Sequence, residues 1–263
     1  MFKNYFKIAL RNLLKQKAYS FISIAGLAVG MACCILILLF VRHELSFDNY
    51  HPNADRIYRV VGESSNPYET FQRAYTPNPL GPALKSEFPE VLEAVRLSKL
   101  SSALIEANGK RFYENRFYLA DSAVFGLFAF DFVQGESQRA LATPNSLVLT
   151  ESMAKKYFGE VDPLQQTIRF DNRLDFLVTG VIRDHPKNSH FHVDFIASTA
   201  HTGEVWRMPD WATRWGRSGF YTYVLLSEKS TPEDLQRKFP AFVEQNLRHS
   251  LDDDEMYTLS MQP

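Results

Sequence analysis

Apolar positions are spread very unevenly along this chain. From Ala18 to Val41 there are 24 residues without a charge, and the run from Ile22 to Val41 reads ISIAGLAVGMACCILILLFV. No later segment approaches it: VFGLFAFDFV is broken by Asp131 and has about half the length a bilayer requires. As a helix, Ser20–Val41 extends about 33 Å at about 1.5 Å per residue, against a hydrocarbon core of about 30 Å. A cleaved signal peptide has a shorter apolar core, about 7–15 residues, and a small-residue cleavage site. A lipid-anchor reading would use Gly30-Met31-Ala32-Cys33 with Cys33 carrying the lipid. The chain stays apolar past that cysteine, as CILILLFV, where a lipoprotein turns polar. The pattern therefore predicts a transmembrane helix over residues 18–41.

The seventeen residues before it show a different period. Phe2, Tyr5, Phe6, Ala9, Leu10, Leu13 and Leu14 fall on one helical face, while Lys3, Lys7, Arg11 and Lys15 recur every four residues on another. Lys17 adds a fifth cation. Such a basic amphipathic helix belongs on the lipid surface of the cytoplasmic leaflet, where the first reading is that it anchors the span and the second that it also touches a cytoplasmic partner. After the span Arg42 is soon followed by Glu44, Asp48 and Asp55. The excess of Lys and Arg on the N-terminal flank places residues 1–17 in the cytoplasm and residues after about 42 outside, which is the periplasm in a bacterium with two membranes. Within the span Gly26 and Gly30 form GxxxG beside Ala25, Ala28 and Ala32, a small-residue face against which another helix can pack closely.

Residues 42–263 carry short β-type and α-type patterns without regular alternation, which predicts an α+β domain. Strands are expected at 56–64, 110–120, 145–150, 175–182 and 220–227, rich in β-branched and aromatic residues and bounded by turn formers. A helix is expected over 151–159, started by Thr150 and stopped at Gly159, and another over 231–249 with Thr231 as N-cap and a bend at Pro240. Segments near 67–82 and 203–217 read as loops.

Charge sharpens this division. Of 29 basic and 30 acidic residues, the first seventeen hold five basic and no acidic ones, leaving 24 basic against 30 acidic for the rest. A basic cytoplasmic end and an acidic outer part suit a membrane protein and give no support to nucleic-acid binding. Both cysteines, Cys33 and Cys34, lie within the apolar run, so the outer part has neither thiol nor disulfide.

Candidate chemistry is sparse. Ser152 and Lys155 have the S-x-x-K spacing of penicillin-binding enzymes, but no S-D-N or K-T-G accompanies them. His185, His190 and His192 lie between Asp184 and Asp194, and on a strand His190 and His192 would share one side as a zinc site needs, without an evident third and fourth ligand. Asp252-Asp253-Asp254-Glu255 lacks the glycine and spacing of a calcium loop and reads as a solvated turn before a final strand. No G-x-x-x-x-G-K-[ST] occurs, since Gly109-Lys110 is followed by Arg111. The expected protein has no catalytic constellation and no cofactor.

Four blocks together resemble one family, the permease subunits of the MacB/FtsX-type ABC transporters. They are the opening FKNYFKIALRNLLKQKAYSFISIAGLAVGMACCILILLFVRHELSFDNYHPNADRIYRV, ADSAVFGLFAFDFVQGE (120–136), LATPNSLVLTESMAKKYFGEVDPL (141–164) and VTGVIRDHPKNSHFHVDFIAS (178–198), in the family's order. Asp121, Asn145, Ser146, Thr150, Gly159, Pro163, Gly180, Asn188 and Ser189 carry its motifs. After D-P-[LI] the family usually has Gly where this chain has Gln165, which bears on one turn. The resemblance implies a cytoplasmic amphipathic helix, a first transmembrane helix, a periplasmic core domain of two subdomains, and three further spans. It also implies a separate or fused ATPase on the cytoplasmic side, permeases paired as dimers, and a periplasmic adaptor among the partners. The work implied is export or extraction of peptides, drugs or lipoproteins, or regulation of cell-wall enzymes.

One helix cannot line a transport path, so the expected protein is a longer inner-membrane permease of which these residues form the N-terminal part. The rival expectation is a single-pass anchored binding or sensing module. A membrane-anchored acyl-transfer enzyme using Ser152 is the third.

Overall fold

A computed structural model describes residues 2–46, 48, 51–185, 189, 190 and 192–263, apart from the side chains of residues 2, 3, 9, 10 and 12–14. It divides into two units, Met1–Asn49 and Tyr50–Pro263.

The first unit is a pair of helices, α1 (Phe2–Lys15) and α2 (Lys17–Glu44), separated at Gln16. The break divides an amphipathic sequence from one apolar all round. In α1 the side chains of Tyr5, Phe6, Lys7, Arg11 and Lys15 are exposed, as is Lys17 at the start of α2; the Lys3 side chain lies outside the described residues. α2 runs three residues beyond Val41 and is the one described helix long and apolar enough to cross a membrane. Its apolar side chains lie open, Ile22 at 71% and Leu38 at 63%. In water such exposure is unfavourable all along the helix, whereas lipid tails or a neighbouring helix satisfy it. Apart from its chain neighbours and the helix's own backbone, no described atom comes within 4 Å of where a Cβ on Gly26 or Gly30 would stand.

The second unit is built on one mixed sheet. Its first half comprises β1 (Ile57–Ser65), β2 (Thr70–Arg73), β3 (Thr76–Pro77), α3 (Leu80–Glu87), β4 (Val91–Leu100), β5 (Ala103–Ala107), β6 (Lys110–Glu114) and β7 (Phe117–Ala120). Then come α4 (Val124–Leu127), β8 (Phe132–Gly135), β9 (Ser146–Thr150), α5 (Glu151–Phe158), β10 (Thr167–Phe170), β11 (Leu174–Ile182) and β12 (Phe195–Ser198). The chain closes with α6 (Thr202–Val205), β13 (Ser218–Leu226), α7 (Pro232–Gln236), α8 (Phe239–Asn246) and β14 (Met256–Gln262). Strand order is β14-β1-β13-β4-β7-β12-β9-β11-β10-β5-β6, with β2 on β1, β3 on β13 and β8 on β11. Parallel pairing occurs between β7 and β12 and between β9 and β11; the other pairs are antiparallel.

Three apolar clusters cover this sheet. Toward the β14 end, α3, α7 and α8 bury Leu80, Leu84, Leu235, Phe239 and Phe242 with Val60 and Val224. Toward the β6 end, Tyr157 and Phe158 of α5 pack with Phe117, Ile168, Phe176 and Phe195. A third cluster joins Val124, Leu127 and Phe128 to Val95, Val148 and Ile196. The fully buried β7, β9 and β12 explain why their sequences do not show a clean apolar–polar alternation.

Two expected elements are redrawn. Residues 110–120 form not one strand but two, because the chain turns at Asn115 and Arg116 and sends β6 to the sheet edge and β7 to its middle. The helix expected over 231–249 is two short ones; Pro240, which has no N–H to give, stands in the first turn of α8 rather than bending a continuous helix. The segments read as loops hold β2, β3 and part of α3, and then α6 with a 3-10 turn at 211–213.

Candidate functional site

The sequence motifs mostly mark joints between elements. Thr150 caps α5: its Oγ1 accepts the Met153 N–H at 3.4 Å, while its own N–H donates to the Asp194 carbonyl at 3.1 Å. Gly159, at φ +66°, ends the same helix with its N–H on the Lys155 carbonyl. Ser146 is buried and donates to the Thr143 carbonyl at 2.5 Å. The Asn145 carbonyl accepts the Leu177 N–H at 2.7 Å, and its side-chain oxygen accepts from His201 Nε2. The Pro163 carbonyl accepts the Gln166 N–H, and the intervening Gln165 takes φ +61°. Ser189 is buried, and Asn188 lies outside the described residues.

Asp121 forms a polar joint with four hydrogen bonds to its carboxylate. It follows β7 and faces Arg96 of β4, whose neighbour Leu97 pairs with Ala120. Asp121 Oδ2 accepts from Arg96 N and Nε at 2.9 Å each, and Oδ1 accepts from Arg96 Nη2 at 2.9 Å and Thr199 Oγ1 at 2.8 Å. Arg96 Nη1 donates to the Asn78 and Ala212 carbonyls, and its guanidinium lies 4.9 Å from the centre of the Phe220 ring. A planar fork is the cation that can satisfy a carboxylate bidentately and two carbonyls at once. Arg96 was not singled out in the sequence; a lone arginine inside VLEAVRLSKL, apolar on both sides, was the available signal.

The histidines do not assemble a metal site. Ser189, His190 and residues 192–194 are not in a strand, so the strand face that His190 and His192 were expected to share is not formed. His190 Nε2 is 2.9 Å from the Tyr223 hydroxyl, whereas His192 lies beside His185 with ring centres 6.3 Å apart. His51, unremarked in the sequence, is buried against Phe128 and accepts the Ala129 N–H on Nδ1 at 3.0 Å. His185 packs edge-on to Phe130. Burial, with the neighbouring His192 and His51, pushes the His185 pKa down to about 4, against the opposing pull of Asp184. Among the described residues no group of three or more His, Cys, Asp or Glu side chains could hold a metal ion. These rings fill the space over Phe128, Phe130 and Tyr223.

The remaining fragments resolve as structure. The Ser152 hydroxyl donates to the Asp184 carboxylate at 2.5 Å, so its partner is not the lysine that the S-x-x-K pattern pairs with its nucleophile. Asn108 and Gly109, at φ +48° and +71°, make the two-residue hairpin turn between β5 and β6. The acidic turn 252–255 wraps around Arg248, whose guanidinium donates to the Asp252, Asp253 and Glu255 carbonyls. A groove of about 280 Å³ between α8 and β14 is lined by Phe239, Pro240, Val243, Tyr257 and Leu259. None of its lining residues pairs a nucleophile with a base.

Compared with known proteins, residues 20–242 match the family model for the MacB-like periplasmic core domain. No curated protein sequence matches the chain. Among solved structures, a domain of a permease protein from Porphyromonas gingivalis superposes with a TM-score of 0.69 at 21% identity, covering 81% of this chain and 91% of that one. The periplasmic region of MacB from Actinobacillus actinomycetemcomitans gives 0.54 at 14% identity, over 76% and 87%. The extracellular domain of the noncanonic ABC-type transporter YknZ from Gram-positive bacteria gives 0.55 at 12%, over 79% and 100%. At such identities the likeness is one of fold.

Proposed function

The chain belongs to the MacB-like periplasmic core domain family, and from that premise we propose that it is the N-terminal part of an ABC-type permease that couples ATP hydrolysis by a partner to motion of a periplasmic domain. The cargo is exported or extracted, and the chain itself performs no covalent chemistry. The observation that carries the reading is the extent of the match, which begins at residue 20, inside α2, and continues through the sheet to residue 242, inside α8. Helix and core are matched as one piece, as a part that passes force from membrane to periplasm requires.

Residues 1–17 then lie on the cytoplasmic side, where Lys7, Arg11, Lys15 and Lys17 present their exposed cations to lipid and to the ATPase. Residues 18–41 span the bilayer, Gly26 and Gly30 pack on a partner helix, and residues 42–263 form the periplasmic core. Residues 1–263 contain no G-x-x-x-x-G-K-[ST], so in this reading ATP hydrolysis falls to a separate or fused ATPase outside them.

The test is recovery of the tagged chain from its native membranes in mild detergent. A co-purifying subunit whose ATP hydrolysis disappears when its P-loop lysine is replaced is the expected result. Recovery without any nucleotide-hydrolysing partner overturns the export reading and favours an anchored binding module. Orientation is read separately, in a Cys33→Ala, Cys34→Ala background: Tyr68→Cys, on a side chain 91% exposed, is expected to take an impermeant maleimide from outside intact cells. Labelling only after lysis would reverse the topology.

A further inference from the structure

The sheet ends on β6, which pairs with β5 on one side; no described strand pairs with its other side. Exposed strand edges are usually blunted by proline, by a bulge or by charges along the strand. β6 has no proline and no register shift, and its centre is aromatic, with Phe112 at 43% and Tyr113 at 75% exposure. Its two leading cations are engaged within the chain, Lys110 donating to the Lys156 carbonyl at 2.6 Å and Arg111 to Asn172 Oδ1 at 2.9 Å.

The tight turn at Asn108-Gly109 fixes which backbone groups are open. In a two-residue hairpin the residues flanking the turn, Ala107 and Lys110, form a hydrogen-bonded pair, and such pairs alternate along the ladder. Lys110, Phe112 and Glu114 therefore direct their N–H and C=O groups at β5, whereas those of Arg111 and Tyr113 point outward.

We propose that β6 pairs antiparallel with β6 of a second copy of this chain, about a two-fold axis at Phe112, joining the two sheets. The sequence Lys-Arg-Phe-Tyr-Glu is complementary to itself in that register. Arg111 and Tyr113 of one copy meet Tyr113 and Arg111 of the other, and these are the residues whose backbone groups are open, giving four cross-strand hydrogen bonds. On one face Phe112 meets Phe112. Lys110 lies opposite Glu114 on that same face, where Glu114 is buried and already accepts from Lys156 Nζ and Tyr157 Oη at 2.6 Å each. On the other face each Arg111 lies opposite the exposed Tyr113 ring. Aromatic, opposite-charge and cation–aromatic pairs are the favourable kinds of cross-strand contact. A five-residue edge is a small contact, and two copies tethered in one membrane meet at the high effective concentration that makes it sufficient. The pairing does not depend on the export reading, since an anchored binding module would present the same edge.

Disulfide trapping in native membranes tests it, using the full chain with Cys33→Ala and Cys34→Ala. Under a mild oxidant, Phe112→Cys is expected to give the dimer at least about fivefold more efficiently than Arg111→Cys or Tyr113→Cys alone, because only residue 112 faces itself. Co-expressed Arg111→Cys and Tyr113→Cys chains, both altered at exposed positions, are expected to trap each other, which covers the case in which Phe112→Cys folds poorly. Tyr113→Pro, added to the Phe112→Cys chain or to the Arg111→Cys chain of the co-expressed pair, removes an outward N–H without touching the β5 ladder and is expected to abolish both crosslinks. Equal trapping at all three positions, no trapping in either arrangement, or trapping that survives Tyr113→Pro overturns the pairing.

Discussion

Gly135 of β8 and Gly180 of β11 face each other in the ladder, and neither has room for a methyl group. A Cβ on Gly135 would stand 2.4 Å from the Thr179 carbonyl oxygen and 2.9 Å from the Gly180 Cα, and Gly135 holds φ at +83°. A Cβ on Gly180 would stand 2.8 Å from Cε1 of the Phe132 ring. Backbone cannot move aside without parting the strands, whereas a ring edge can tilt. Gly135→Ala is therefore expected to cost about 3 kcal/mol, from left-handed strain together with overpacking, and Gly180→Ala about 1–2 kcal/mol. For a domain of this size that is roughly 6–12 °C against 2–8 °C in Tm. Thermal melts in detergent that reverse this order would show that β8 is not held as described.

Gln165 gives a prediction of opposite sign. It sits at φ +61° with its N–H on the Val178 carbonyl at 2.8 Å, in the turn where the family usually has glycine. The left-handed conformation costs an ordinary side chain about 1 kcal/mol more than glycine, and glycine keeps the N–H. Gln165→Gly is expected to stabilise the fold by about 0.5–1 kcal/mol, visible as a urea midpoint shifted upward at unchanged slope. A downward shift would mean that the Gln165 side chain makes a contact worth more than the strain.

What could be read from the chain follows these same physical lines. The long apolar helix, Thr150 as a cap, Gly159 as a stop and the strands at β1, β9, β11 and β13 announced themselves because their signals are local. β4 and β7 did not: VLEAVRLSKL alternates poorly because it is buried by long-range pairing, and the split between β6 and β7 depends on where each strand finds its neighbour. Gly135 went unnoticed where Gly180 was marked, since the need for a bare Cα on β8 arises only when β11 lies against it. His51 is a similar case, lying more than seventy residues before the Ala129 N–H that it accepts. Arg96, far in sequence from Asp121 and Ala212, could not be identified as the cation of a shared joint.

His185 makes stability depend on pH. Its folded pKa of about 4 lies below the ordinary histidine value of 6.5, so between the two the unfolded chain binds the extra proton. Its contribution is full above about pH 6.5 and is lost as pH falls toward 4. Tm is expected to drop on acidification from pH 7 to 4.5, and His185→Gln, which cannot be protonated there, should flatten that drop. An identical slope in the variant would assign the acid sensitivity to other groups.

The Arg96–Asp121 joint carries a stability prediction as large as that at Gly135. Asp121→Asn keeps the shape of the side chain but removes the charge opposite a guanidinium that is only 11% exposed. Breaking one partner of a largely buried, multiply hydrogen-bonded ion pair leaves the other poorly compensated, so a loss of about 3 kcal/mol is expected. Arg96→Lys retains the charge without the fork, giving up the two-pronged contact with Asp121 and the carbonyls of Asn78 and Ala212, and about 2 kcal/mol is expected. Thr199→Ala removes one donor to Asp121, at about 1 kcal/mol. Because Thr199 acts through the same carboxylate, Asp121→Asn with Thr199→Ala should cost less than their sum, a departure that a double-mutant cycle in urea resolves. Additive losses, or an Asp121→Asn variant less than 1 kcal/mol weaker than wild type, would mean that the pair does not hold β4, the β7 turn and the 78 and 212 loops together as one body.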